Sequence, residues 1–114
     1  MSYTPDRWVV VKITNKEGKT HYRVFGTWYG GYLHGNSWRL NSGINKVDDN
    51  EKYYLFHGNS GSEYACNKKS YGTSGYSSAV LHDLALRSNE AHGIVTDVMP
   101  EDTDWLTLNY GEVK

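Results

Sequence analysis

The side chains that most often carry catalysis or bind metals are few and scattered in this chain. The closest two of its five histidines, His82 and His92, are ten residues apart, so no HxxxH or HExxH pattern places two imidazoles on one helix face. Cys66 is the single cysteine, which excludes an intrachain disulfide and a cysteine-rich zinc site. We therefore expect no metal, no cofactor and no catalytic residue.

Cys66 is nevertheless the one residue that could act as a strong nucleophile. It would need a histidine and an acid such as Asp83 brought to it from distant parts of the chain. The sequence around Cys66 is typical of a strand. In a strand, a cysteine ordinarily serves as a small buried hydrophobic residue. A hydrolase that uses Cys66 or the histidines is accordingly the least favoured alternative.

Aromatic residues interleaved with glycine, serine and asparagine are the strongest functional signal. The chain has 10 Tyr and 4 Trp, and three segments combine them with small polar residues: 28–32 (WYGGY), 34–38 (HGNSW) and 71–76 (YGTSGY). Tyrosine and tryptophan give a large contact area at low conformational cost, while the small polar residues adapt their hydrogen bonds to a partner. Filling of the core is the competing explanation for the same residues. The candidate ligand- or partner-binding residues are Tyr29, Tyr32, Trp38, Tyr71, Thr73 and Ser74.

Segment 70–75 (SYGTSG) directly precedes a predicted helix. Its backbone amides and hydroxyls could hold an anion at the helix N-terminus, with Lys68 and Lys69 just upstream. The same residue types also cap helices without any ligand, and Thr73 and Ser74 are good candidates for that role. Two other glycine-rich turns, 30–31 and 58–61, join strand to strand and so lack the strand-to-helix context of a phosphate loop.

The overall charge argues against several classes of partner. Net charge is −1 and the isoelectric point is about 6.5, whereas proteins that bind nucleic acids usually carry a clustered basic face. Apolar runs are only a few residues long, and the N-terminus has no basic segment followed by an apolar one. We expect a cytoplasmic protein that binds neither membranes nor nucleic acids.

Hydrophobic patterning predicts the elements that must position these residues. Strands are expected over 8–14, 20–29, 38–47, 53–57, 63–67 and 94–99, with turns at 15–19, 48–50 and 58–62. Val80, Leu81, Leu84 and Ala85 follow helical spacing and predict a helix over 76–90. Residues 1–114 thus read as one α+β domain, a small twisted antiparallel sheet of five to six strands with one helix packed on one face.

Segments 30–44 (GGYLHGNSWRLNSGI) and 70–76 (SYGTSGY) resemble small uncharacterised proteins of tailed-bacteriophage genomes. The resemblance supplies no functional residue. It implies expression in the cytoplasm of an infected bacterium, where small phage proteins often act on host factors, including immune systems.

Two binding functions follow from these features, of which the first is the leading hypothesis and the second the alternative. The first is a small binding protein, an accessory phage factor that binds and inhibits a host defence protein through its aromatic residues. The second is a small-molecule binder that sequesters a nucleotide-type ligand by stacking and by the amides near Thr73 and Gly75. Both are compatible with a homodimer, because the strand edges of a small sheet need cover.

Overall fold

The computed structural model of the chain describes residues 2–30 and 35–110. Within these residues the chain forms eight strands and one helix. They are β1 (Ser2–Tyr3), β2 (Arg7–Thr14), β3 (Thr20–Tyr29), β4 (Asn36–Leu40), β5 (Ile44–Asn50), β6 (Tyr53–Gly58), β7 (Glu63–Asn67), α1 (Gly75–His92) and β8 (Val95–Val98). The predicted α+β class is confirmed. No helix in these ranges is long and apolar enough to cross a membrane.

The strands form two four-stranded sheets. The central sheet has the order β4-β3-β2-β8 and is antiparallel throughout. The outer sheet has the order β1-β7-β6-β5, and its short edge strand β1 runs parallel to β7. The prediction of one antiparallel sheet of five to six strands therefore has to be corrected.

The division into two sheets has a local cause at residues 41–43. The single strand expected over 38–47 is two strands, because β4 ends at Leu40 in the central sheet and β5 begins at Ile44 in the outer sheet. Gly43 between them has a φ of 129°, a backbone conformation that glycine adopts without strain. The chain thus changes sheets within three residues, and this crossing forms one wall of the site described below.

The central sheet is the middle of three layers. Trp8 and Val10 of β2 point towards the outer sheet and pack with Phe56 and Tyr64. The alternate residues Val9 and Val11 point the other way and pack with Leu81 of α1. Burial on both faces explains why β2 reads as a continuous apolar run instead of an alternating one.

The helix begins and ends at well-formed caps, but it packs loosely on the sheet. Ser74 and Ser77 form a reciprocal capping box, and Gly93 ends the helix in the left-handed conformation at φ 69°. Only Ser77 and Leu81 of the helix are buried. Cavities of about 390 and 160 Å³ lie between the helix and the central sheet, and Leu81, Ala85 and Thr96 line both of them.

Candidate functional site

A polar cavity of about 220 Å³ lies where the two sheets meet, and we call it the serine–arginine cleft. Its lining residues are Tyr3, Arg23, Arg39, Leu40, Asn41, Ser42, Ser60, Ser62 and Tyr64. They come from β1, β3, β4, β7 and two turns, so the cleft exists only once both sheets have assembled.

Two turns with the same tripeptide sequence, Asn-Ser-Gly, meet at the cleft. One is the crossing at 41–43, and the other is the hairpin between β6 and β7 at 59–61. The backbone N–H of Asn59 donates to the carbonyl of Gly43 at 2.9 Å, and the N–H of Ser60 donates to Ser42 Oγ at 3.0 Å. The Ser42 hydroxyl donates in turn to Ser60 Oγ at 3.1 Å. The two turns therefore hold each other in place and present their serines side by side.

Asn41 is the most buried polar side chain of the cleft, with 2% of its surface exposed. Its side-chain oxygen accepts the backbone N–H groups of Val24 at 2.9 Å and Gly43 at 3.3 Å. These two bonds fix the orientation of the amide, with Nδ2 turned away from the N–H groups of Val24 and Gly43. Among the described residues Nδ2 has no hydrogen-bond partner. A buried donor left unpaired costs about 1–3 kcal/mol, so such a group calls for an explanation.

Gly58 is buried and lies beside this amide. A Cβ at position 58 would lie 2.9 Å from Ser62 Oγ, 3.0 Å from Ser42 Oγ and 3.3 Å from Asn41 Nδ2. Three polar atoms therefore converge over one buried glycine. Any larger side chain at this position would push them apart.

The charge of the cleft is positive. Arg23 and Arg39 both line it, and neither forms an ion pair with a carboxylate in the described ranges. Arg23 Nε is buried and lacks a hydrogen-bond acceptor among those residues. Burial raises the pKa of Tyr64 to about 12 even though the Arg39 guanidinium acts in the opposite direction. Tyr64 therefore stays neutral at physiological pH, and no described acidic side chain lines the cavity.

A second cavity, of about 200 Å³, adjoins the cleft, and we call it the aromatic pocket. Tyr3, Trp28, Ser37, Trp38 and Arg39 line it, so Tyr3 and Arg39 belong to both cavities. The Arg39 guanidinium carbon lies 4.6 Å from the centre of the Tyr3 ring, a cation–π contact. The edge of Trp28 meets Tyr3 with ring centres 6.2 Å apart, and the Trp28 indole donates to the carbonyl of Thr4 at 2.9 Å. The planar groups of Tyr3, Trp28 and Arg39 therefore lie next to the positively charged cleft.

Two of the residues predicted from the sequence, Tyr29 and Trp38, lie on the same face of the central sheet as α1, and both are exposed. Trp38 is 39% exposed and packs its ring on Phe25, with ring centres 5.8 Å apart. Tyr29 is 42% exposed, and alternation along β3 and β4 puts it on the same face as Trp38. Tyr32 lies outside the described residues. Of the five predicted residues that the structure describes, Trp38 alone contributes to either cavity at this end of the sheets.

Tyr71 is half-buried, in an aromatic cluster, and also lines the larger cavity under the helix. Its ring stands perpendicular to Trp8 at 4.7 Å and lies 5.8 Å from Trp105. Its hydroxyl donates to the carbonyl of Met99 at 2.6 Å and accepts the N–H of Val10 at 3.3 Å. Burial raises the pKa of Tyr71 to about 12. These contacts give Tyr71 a structural role.

Thr73 and Ser74 lie at the start of α1, away from the serine–arginine cleft. Ser74 accepts the N–H of Ser77 at 3.3 Å, and its own N–H donates to Ser77 Oγ at 2.8 Å. Thr73 lines the larger cavity under the helix. The capping interaction expected for Ser74 is present, and it engages the backbone N–H groups of Ser74 and Ser77.

The residues considered for nucleophilic or metal chemistry are not grouped. Cys66 is fully buried in the core between the sheets, and burial raises the pKa of its thiol well above the ordinary value. His57 Nε2 lies 2.9 Å from Asp48 Oδ2 on the outer sheet. No three histidine, cysteine or acidic side chains within 2–30 and 35–110 are placed so that they could hold a metal ion.

The cleft residues Arg23, Asn41, Ser42, Ser60 and Ser62 were not among the sequence predictions. The signal that could have pointed to them is the repeated tripeptide Asn-Ser-Gly at 41–43 and 59–61. Each copy on its own is typical of an ordinary turn, and only the pairing of the two turns across the sheets makes a site.

No family model matches the chain, and no curated protein or solved structure matches it either.

Proposed function

We propose that this is a binding protein for a small phosphate-bearing ligand of nucleotide type, and that the serine–arginine cleft holds the phosphate. The observation that carries the proposal is the buried Asn41 amide, whose orientation is fixed and whose Nδ2 has no partner among the described residues. An anion in the cleft would accept a hydrogen bond from it and remove the cost of leaving it unpaired.

The character of the cleft favours an anion over a cation or an apolar group. Two arginines supply positive charge, and guanidinium groups match the geometry of phosphate oxygens. The hydroxyls of Ser42 and Ser60 each donate to the next serine of a Ser42–Ser60–Ser62 chain, and hydroxyl groups of this kind can rotate to donate to a ligand instead. No described carboxylate competes for these groups.

The chemistry of the cleft supports binding rather than catalysis, so we propose that the protein is not an enzyme. Histidine, cysteine and carboxylate side chains, which most often act as general bases or nucleophiles, do not line it in the part of the chain that the structure describes. Cys66 lies in the core with its thiol held in the neutral form. A ligand held without turnover fits the sequestering function expected from the sequence.

The substitution Asn41→Asp tests the proposal with little change of shape. The new carboxylate keeps an oxygen for the backbone N–H groups of Val24 and Gly43, but it replaces the Nδ2 donor with a negatively charged acceptor. Asn50→Asp is the matched control, because Asn50 is exposed at the far end of β5 and the net charge changes equally.

Binding is measured by isothermal titration with inorganic phosphate and with mono-, di- and cyclic nucleotides. We expect at least one phosphate compound to bind the wild type and Asn50→Asp equally. Asn41→Asp should bind at least tenfold more weakly, since a charged hydrogen bond of about 1.5–3 kcal/mol is replaced by repulsion. Failure of every phosphate compound to bind the wild type would contradict the proposal.

A second candidate function, a phage factor that binds and inhibits a host defence protein, is favoured by the exposure of Tyr29 and Trp38 on one face. Exposed aromatic side chains of this kind often anchor protein interfaces. The double substitution Tyr29→Ala and Trp38→Ala should abolish co-purification of a bacterial partner while circular dichroism shows an intact fold. Retention of the partner by the double variant would contradict this candidate.

A further inference from the structure

We infer that the ligand is a nucleoside monophosphate, bound with a terminal phosphate at the Gly58 end of the cleft and with its base in the aromatic pocket. The inference rests on the proposed function and specifies both the ligand class and its orientation. Two features of the joined cavities carry it.

The first feature is the shape of the polar end. Asn41, Ser42 and Ser62 line the cleft there, and a Cβ built on the neighbouring buried Gly58 would lie within 3.3 Å of a polar atom of each of them. A phosphate monoester can enter such an end with its three terminal oxygens forward, because its single ester bond leads back out. A 3′,5′-cyclic phosphodiester presents only two terminal oxygens and less negative charge to the same donors, because both of its ester bonds return to the one ribose.

The second feature is the continuity with the aromatic pocket. The cavities of about 220 and 200 Å³ share Tyr3 and Arg39, and together they reach the range of about 300–1,000 Å³ that is usual for small-molecule sites. The Arg39 guanidinium already packs against Tyr3, with Trp28 beside it, so a base entering here meets planar groups on which it can stack. Phosphate alone would leave this half of the site unused.

The test compares adenosine, guanosine, cytidine and uridine 5′-monophosphates with their 3′,5′-cyclic counterparts and with inorganic phosphate, by isothermal titration on the full chain. We expect at least one monophosphate to bind at least tenfold more tightly than its cyclic counterpart, and inorganic phosphate to compete with it. Trp28→Leu should weaken the monophosphate about tenfold, the value of one good stacking contact, and leave inorganic phosphate unchanged. Unchanged phosphate binding also shows that the variant is folded. Tyr29→Leu, outside both cavities, is the control and should bind like the wild type.

The outcomes separate the inference from the function on which it rests. Cyclic nucleotides that bind as tightly as monophosphates, or inorganic phosphate that binds as tightly as any nucleotide, would overturn the inference and leave phosphate binding in place. Equal loss of nucleotide and inorganic phosphate in Trp28→Leu with an intact circular dichroism spectrum would overturn the assigned orientation. If no phosphate compound binds, the proposed function fails together with the inference.

Discussion

Asn41 and Val24 are joined by two hydrogen bonds of 2.9 Å where β4 leaves the central sheet. The backbone N–H of Asn41 donates to the carbonyl of Val24, and the backbone N–H of Val24 donates to the side-chain oxygen of Asn41. A side chain thus continues the β3–β4 hydrogen bonding for one more residue after the main chain has turned away. The same bond that closes the sheet orients the Asn41 amide, and Asn41 lines the serine–arginine cleft, so one residue links the fold to the site.

Tyr71 should matter for stability more than for binding. Tyr71→Phe removes the hydroxyl that bridges Met99 and Val10, and leaves a partly buried carbonyl and N–H without that partner. We expect the free energy of unfolding to fall by about 1–3 kcal/mol in urea denaturation. Tyr29→Phe, at an exposed position, should change it by less than about 0.5 kcal/mol. Equal effects of the two substitutions would contradict the structural role assigned to Tyr71.

The loose packing of α1 should leave room for stabilisation. Ala85 lines both cavities under the helix, so Ala85→Leu places apolar atoms in space that no side chain fills. We expect a gain of about 1 kcal/mol in the free energy of unfolding in urea from the added apolar burial, because leucine gives up little helix propensity relative to alanine. Ala91→Leu, exposed near the end of the helix, should give no gain. A loss of stability in Ala85→Leu would show that the space between the helix and the sheet is too small for a leucine side chain.

His21 should make stability depend on pH. Burial, and then the nearby Arg23 guanidinium, lowers the pKa of His21 below its ordinary value of about 6.5. The folded protein therefore prefers the neutral imidazole, and the unfolded chain takes up a proton more readily. The stability that this preference contributes is present above about pH 6.5 and is lost as pH falls through the lowered pKa.

Urea unfolding of the wild type and of His21→Gln between pH 7.5 and 5 measures this contribution. As pH falls, the free energy of unfolding of the wild type should decrease relative to that of His21→Gln. A difference that stays constant over this interval would show that His21 has the same pKa in the folded and unfolded chain.

Local patterns were enough to predict much of the fold. The β2–β3 hairpin follows from two β-branched and aromatic runs separated by a turn that holds Gly18 at a φ of 85°, and the structure has the expected pairing of Arg7–Thr14 with Thr20–Tyr29. The helix follows from the spacing of Val80, Leu81 and Leu84 and from the serines that cap it. Each of these signals lies within a short stretch of chain.

The division into two sheets and the cleft between them could not be predicted in the same way. Residues 38–47 alternate like one strand, and nothing in that stretch alone shows that Asn41, Ser42 and Gly43 carry the chain from one sheet to the other. The cleft depends on contacts between residues far apart in sequence, such as the bond from Ser60 to Ser42. The aromatic residues were the stronger sequence signal, but among the predicted residues within the described ranges only Trp38 lines the aromatic pocket.

The most direct test of the central claim is to follow the side-chain amide of Asn41 by ¹H–¹⁵N NMR while phosphate compounds are added. We expect the Asn41 Nδ2 signals to shift with a saturable dependence on the concentration of inorganic phosphate or a nucleoside monophosphate, while those of the exposed Asn50 do not move. The signals are assigned by their absence in Asn41→Asp and Asn50→Asp. Asn41 signals that stay in place while a phosphate compound binds elsewhere would contradict the claim that this amide holds the ligand.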